Sequence, residues 1–587
     1  MKKDWDFSLI YQEGEFDKDL QAVRDELLKV GSFQGKLADN LEEYIILSEE
    51  IGKKLYTLYT YSHMKYDLNQ KDTAAFSTLK EVESLYGDYL RYSSFFQPEV
   101  IALGYDKVKE LIASSDKLKE YSFMFRKMFD QQAHILGAAE EKILSNFAEV
   151  QSNHGSLYSS IAVSDNYDVE VEISTGEKLK INNGNYRYYL GILPNQEDRR
   201  VVFEAVFKYY ADHRHTFASI YNGIVQNDIA IMKSRNYGST LESYLERNKI
   251  PVSVYQSLIE TTKNNTEIVK KYIELRKQYF KLDKYRTYDR FLSFAESNIE
   301  FDYETSYKIF LESAKELGNE FYELAKEALR EGAVDVDIKD GKRTGAYSTS
   351  IYGKGPFILL NHNNNIDSAF TIAHEAGHSM HTILADANQP FATNNYTIFV
   401  AEIASTFNEQ LFLDYLIKTS TDDNFKIALI AQAIDGILGT FYRQSLFADY
   451  EYQAHKLAEE GRTINHESLS KIMKELYHQY YDINLDEEPY KEVVWAYIPH
   501  FFFTPYYVYQ YATSFSASLK IYQDVKNQKE GAFDRYLGLL KSGGSDYPVN
   551  QVLEAGVDLR TAEPFLAVVS RLTELVGLLE ELLAKRG

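Results

Sequence analysis

Apolar and aromatic residues recur every three and four positions through most of this chain, and only ten prolines interrupt its 587 residues. That recurrence is the period of an α-helix with one buried stripe. Proline removes a backbone donor and clashes with the preceding turn, so its scarcity leaves the helices few forced breaks. The chain is therefore expected to be mainly α. From Leu20 to about Leu118 the pattern is unbroken, as in Leu41, Tyr44 and Ile45 or Tyr86, Tyr89 and Leu90. An antiparallel helical lobe is expected there, with its tyrosines packed in the core.

The period changes twice. Val169, Val171 and Ile173 alternate with acidic residues, and Leu179 and Ile181 follow a Ser-Thr-Gly-Glu turn, which predicts a β-hairpin near 169–181. Val334, Val336 and Ile338 alternate with Asp335 and Asp337; short strands at 346–351 and 356–361 then meet at Gly353-Lys354-Gly355. A chain this long exceeds what one core usually organises. Two lobes are expected, a helical lobe with the hairpin over 1–195 and a second helical lobe over 196–587, with a soft boundary.

Directly after the second set of strands stands Ala373-His374-Glu375-Ala376-Gly377-His378-Ser379-Met380-His381. On a helix, His374 and His378 lie one turn apart on one face, where two imidazoles can converge on a zinc ion. Glu375 points about 100° around the axis, where it can take a proton from water instead of binding the ion. Gly377 is costly in mid-helix and is tolerated where another backbone must come close. The chain has no cysteine, so the remaining ligand must be His or a carboxylate. After the Gln389-Pro390 break, a helix from about Thr397 to Ile417 is apolar except for a stripe of Glu402, Ser405, Thr406 and Glu409. A buried carboxylate needs a partner, and Glu402 as third zinc ligand supplies one. Glu409 and His381 are candidates to orient the ligand imidazoles. His455, His466 and His478 are assigned to polar helical surface.

The net charge of −23, from 64 basic and 87 acidic residues, argues against nucleic acid or an anionic membrane surface as a partner. The first residues lack an apolar signal core and no apolar run of ~18 residues is present, so a cytoplasmic protein with no membrane partner is expected.

The zinc-helix motif, the segment Ala401-Glu402-Ile403-Ala404-Ser405-Thr406-Phe407-Asn408-Glu409, the stretch from Arg443-Gln444 to Glu451, and Pro499-His500-Phe501 with the tyrosine-rich run behind it together resemble the thimet-oligopeptidase family of zinc metallopeptidases, in its oligoendopeptidase F group. The resemblance runs nearly end to end. It implies a multi-helix ellipsoid with a deep internal channel and a small β-sheet next to the zinc-binding helix, one Zn²⁺ per chain held by His374, His378 and Glu402, Glu375 as general base, and short peptides as substrates. It also implies that His500, Tyr506 and Tyr509 contact the substrate and its transition state. Two alternatives remain open: a zinc carboxypeptidase or dipeptidase on a related scaffold, for which Arg343 is the best anchor for a terminal carboxylate, and a non-catalytic helical peptide-binding protein. Oligomeric state is left open.

Overall fold

The structure is a computed structural model that describes residues 2–295 and 299–586, without the side chains of 138, 139, 148 and 149. Helices dominate it, and two small sheets mark the two places where the sequence period changes. The elements that position functional residues are, in chain order, α1 (Glu15–Gly31), α2 (Leu37–Leu68), α3 (Thr73–Ser93), β1 (Val169–Glu172), β2 (Lys178–Ile181), α4 (Gln196–Asp212), α5 (Arg214–Ser234), β3 (Val334–Asp337), β4 (Tyr347–Ile351), β5 (Gly355–His362), α6 (Ile366–Asn388), α7 (Ile398–Thr419), α8 (Arg443–Glu459) and α9 (Tyr509–Lys526).

The chain forms two compact units, each assembled from three segments: Met1–Ala133, Asn298–Lys418 and Ile521–Val557 in the first, and His134–Ser297, Thr419–Lys520 and Asp558–Gly587 in the second. This differs from the division at 195/196 expected from the sequence. The reason is a shared core: Trp5, Leu27, Leu41 and Leu55 from the N-terminal segment pack in one cluster with Ala333, Ile351, Phe357 and Leu359. The Trp5 indole N–H donates to the carbonyls of Ala333 and Ile358, at 3.1 and 2.9 Å, and so ties the chain's start to the sheet.

In the first unit, β5 is the central strand, parallel to β3 and antiparallel to β4, with Tyr347 opposite Leu359 and Ile351 opposite Gly355. The turn between β4 and β5 carries Gly353 and Gly355 at φ of 76° and 89°, values that only glycine adopts without strain. Phe357, Ile358, Leu359 and Leu360 are all buried, so β5 reads as one continuous apolar run. Alternation in β3 is misleading, since Asp335 is fully buried beside Val334 and Val336 while Ile338 is exposed. Lys342, also buried, bonds Asp335 at 2.6 Å.

The second unit holds the hairpin, where Val169 pairs with Ile181 and Ser174 bonds the Asp198 carboxylate through its N–H and hydroxyl. Asn195 caps α4, its side chain accepting from the Glu197 N–H. His213 leaves helical φ/ψ and separates α4 from α5. Tyr221, Tyr255, Tyr450 and Tyr480 are among its largest fully buried side chains, so here tyrosines are core residues. Among the described residues one helical run, Asp423–Glu459, is long and apolar enough to cross a membrane, and half of its most apolar window is buried inside the protein.

Candidate metal centre and active site

The residues that could hold a metal ion come from two helices of the first unit. Asn365 starts α6 by accepting from the Ser368 N–H, and the helix then carries Glu375, His374 and His378 through Asn388. α7 returns so close that a Cβ built on Gly377 would lie 2.6 Å from the Ala404 carbonyl oxygen and 2.7 Å from the Ser405 Cα. Only glycine allows that approach. One turn from the contact, Glu402 reaches the two histidines.

One donor atom each of His374, His378 and Glu402 lies within 4.8 Å of the others. The His374 and His378 Nε2 atoms are 3.2 Å apart, and they are 3.6 and 3.8 Å from Glu402 Oε2. A tetrahedral ion with bonds of about 2.0–2.2 Å requires donors roughly 3.3–3.6 Å apart. The triangle fits. Both histidines are oriented from behind: Glu409 Oε1 lies 2.5 Å from His374 Nδ1, and His378 bonds the backbone of Ala401. This is the outer support that metal-ligating imidazoles normally have. Ser405 donates to Glu402 Oε2 at 2.9 Å, and Thr406 to the Glu402 carbonyl at 2.5 Å, which accounts for the polar stripe on an apolar helix. His381 does not share in the support. It stacks on Tyr396 with 3.5 Å between centroids, and neither of its ring nitrogens has a hydrogen-bond partner.

Burial works against a charged His374, but the bond to Glu409 and the charges of Glu375 and Glu402 outweigh it and lift the imidazole to about 9. His378, buried beside His374, is pushed down to about 4. Three carboxylates around two imidazoles form a donor set that suits a dication. Glu375 is 6 % exposed; burial, opposed in part by His374 and a backbone bond from Ser348 of β4, raises it to about 7. Its Oε2 is buried with no hydrogen-bond partner. A carboxylate held near neutrality with one oxygen unengaged is what a general base needs.

The sequence profile of Peptidase family M3 matches residues 191–570, and that of the N-terminal region described as Oligopeptidase F matches residues 99–166. The chain belongs to peptidase family M3. Oligopeptidase PepF of Bacillus subtilis is 32% identical to it, covering 99% of this chain and 87% of that protein. A putative peptidase from Chlamydophila abortus superposes with a TM-score of 0.90 at 30% identity, covering 98% of both chains. The oligoendopeptidase-F of Enterococcus faecium does so at 0.74 and 28%, covering 97% of this chain and 99% of that one. Like its M3 relatives, the protein is a metalloendopeptidase that acts on oligopeptides, on a fold that is mainly helical.

Other residues singled out in the sequence fall elsewhere. Arg343 pairs with the buried Asp67 at 3.2 Å and lies over Tyr347, so it is already engaged and does not stand as a free anchor for a terminal carboxylate. His500, Tyr506 and Tyr509 belong to the second unit. His500 lines a cavity there, and its ring stacks on Tyr507 at 6.2 Å and meets Tyr511 edge-on at 6.0 Å. Tyr506 and Tyr509 are enclosed. The Tyr506 hydroxyl shares a 3.0 Å bond with Thr240, its N–H donates to Glu451 at 2.9 Å, and Tyr509 packs on Tyr255. Tyr506 sits at φ +54°, in a turn before α9, so the segment is not helical there. The resemblance that singled out Tyr506 and Tyr509 does not reveal this, and it passes over Tyr507 and Tyr511, which meet the His500 ring. His455, assigned to polar surface, is fully buried between Asp228 (3.1 Å) and the Glu451 carbonyl (2.9 Å). The exposed charges of α8 concealed its buried face.

Proposed function

We propose that the metal of this M3 peptidase is zinc, one ion per chain, held by His374, His378 and Glu402, and that Glu375 is the general base for hydrolysis of internal bonds in short peptides. The observation that carries this reading is the His-His-Glu triangle with the unpartnered Glu375 Oε2 beside it. Three protein ligands leave a tetrahedral ion one open position, which marks catalytic sites over structural ones. When bound, zinc supplies the Lewis acidity that lowers the pKa of water toward ~7. Glu375, already near 7, then takes the proton of the attacking water and returns it to the leaving amine. Glu409 and the backbone of Ala401 hold the two imidazoles in the tautomer that presents Nε2.

His500 is assigned to substrate contact and to donating a hydrogen bond to the developing oxyanion. Support for this comes from the family resemblance and from its place on a cavity wall. Tyr507, half-buried against His500, takes the donor role in preference to the enclosed Tyr506 and Tyr509. A cytoplasmic location is part of the same proposal.

The test is an internally quenched peptide of about ten residues, blocked at both ends, incubated with and without a zinc chelator and its products identified by mass. Internal cleavage that the chelator stops and zinc restores is expected. Intact blocked peptide with trimming of its free-ended version would replace the endopeptidase with an exopeptidase, and zinc bound without either cleavage would leave a binding protein.

A further inference from the structure

The second unit encloses a cavity of about 530 Å³ with a charge pattern opposite to that of the chain. Arg187, Arg290, Arg443 and Lys491 line it, and no Asp or Glu does so among the described residues, in a protein whose net charge is −23. Among the described residues none of the four cations is in an ion pair, although Asp435 bears on Arg290 from a distance. Arg187 bonds only the hydroxyls of Tyr186 and Tyr497, at 3.1 and 3.0 Å. Arg290 lies over the Phe291 ring. Arg443 Nε is buried without a hydrogen-bond partner. Lys491 Nζ sits among Phe203, Phe207 and Tyr477, between 5.1 and 5.6 Å from the ring centroids. The carboxylate that bears on it, Glu488, is buried and taken up by the Thr287 N–H and hydroxyl.

Such concentrated, half-desolvated positive charge is unfavourable unless an anion completes it. Burial and the facing Arg290 pull Arg443 down to about 10 and Lys491 down to about 7. We infer that this cavity is an oxyanion-recognition site, fitted to the carboxylates of an acidic peptide segment that also carries an aromatic or long apolar side chain. Guanidinium groups grip carboxylates in pairs of parallel bonds, and the aromatic walls formed by Phe203, Phe207 and Tyr477 suit the apolar part. The volume falls within the range of small-ligand sites. His500 lies on the same wall, so the proposal rests on the peptide-substrate reading above and names the class of peptide preferred. Phosphate oxyanions share this chemistry, and the experiment separates the two sources.

Calorimetric titration of the zinc-loaded E375Q enzyme compares an acidic pentapeptide containing Glu, Asp and one Phe with its Gln/Asn counterpart, amidated at the C-terminus, and with inorganic pyrophosphate. The acidic peptide is expected to bind about tenfold more tightly at low salt, with the preference shrinking as salt rises. Arg443→Gln and Arg290→Gln should each bring the acidic-to-neutral ratio toward one, and Arg443→Lys should restore part of it. Arg187→Gln, at an exposed position, tests the same point should a buried variant fail to fold. Fractional proton uptake at pH 7, read from two buffers of different ionisation enthalpy, is expected as Lys491 becomes charged against the anion. Equal binding of both peptides, or a ratio indifferent to all three arginines, overturns the inference. Pyrophosphate binding more tightly than the acidic peptide and displacing it overturns the peptide occupant. Wild-type enzyme that cleaves a neutral quenched peptide while showing no acidic preference refutes this proposal alone, whereas failure to cleave either peptide refutes the endopeptidase reading.

Discussion

Glu375 and Glu409 both bear on His374 and should fail in different ways. Glu375→Gln keeps the shape and removes the base, so kcat should fall by ~10²–10⁴ while zinc content, read by elemental analysis, stays unchanged. Unchanged turnover would remove Glu375 as the base. Glu409→Gln replaces the carboxylate that holds His374 Nδ1; zinc affinity should drop by roughly 10–100-fold, measured by competition with a chelating dye. Gly377→Ala puts a methyl into the α7 backbone at Ala404 and Ser405. It should destabilise the protein by ~1–3 kcal/mol, read from its thermal midpoint, and weaken zinc binding by moving Glu402. The placement of these side chains was legible before any coordinates, because one helical turn fixes His374 against His378, and a mid-helix glycine announces a close neighbour. His381 was not legible. Its helical position suits support of the ligands, but the side chain packs flat on Tyr396, a contact set by a loop far from it on the helix face.

At the scale of elements, two buried charged clusters invite tests. Asp335 of β3 and Lys342 form a pair with both side chains fully buried. Removing one partner strands the other, so Asp335→Ala should cost about 3–5 kcal/mol in chemical denaturation, and the double change to Ala and Met should recover much of that loss. The loop leading into α9 depends on Glu451, which accepts from the N–H of the left-handed Tyr506. Burial raises Glu451 from 4.5 to about 8. Between those values the folded chain holds a proton that the unfolded chain has lost, so stability falls as pH rises across that window. Glu451→Gln should flatten that slope, and an unaltered slope would mean that Glu451 is ionised in the fold. Alternation along β3 does not reveal that Asp335 is buried, and the family resemblance, not a period in this segment, assigned Tyr506 and Tyr509 to substrate contact. In both places a distant segment, the Lys342 loop or the Glu451 helix, decided which side is inside.

For the whole molecule, the three-segment make-up of each unit makes the N-terminal helices dependent on residues hundreds of positions away. A fragment of residues 1–195 lacks Ala333, Ile351, Phe357 and Leu359, which complete its core, and should show no cooperative unfolding by circular dichroism; a sharp transition would show that this segment is self-sufficient. Zinc should couple to global stability as well. At free zinc about 100 times its Kd, binding adds ~2.7 kcal/mol, so chelation should lower the thermal midpoint, and less so in the Glu402→Ala variant.

By itself the sequence determined the helical class, both sheets, the turn of α6 that sets His374 beside His378 and the returning helix with Glu402, because each follows from a period, a glycine or a spacing of a few turns along the chain. Only the tertiary structure decided how three segments combine into each unit, that Glu409 and not His381 supports the ligands, that Tyr507 and not Tyr506 faces His500, and that four cations from separate stretches share one cavity. Those outcomes depend on contacts between segments far apart in the chain. No local periodicity encodes such contacts; they are settled when buried surfaces and buried charges must be satisfied together.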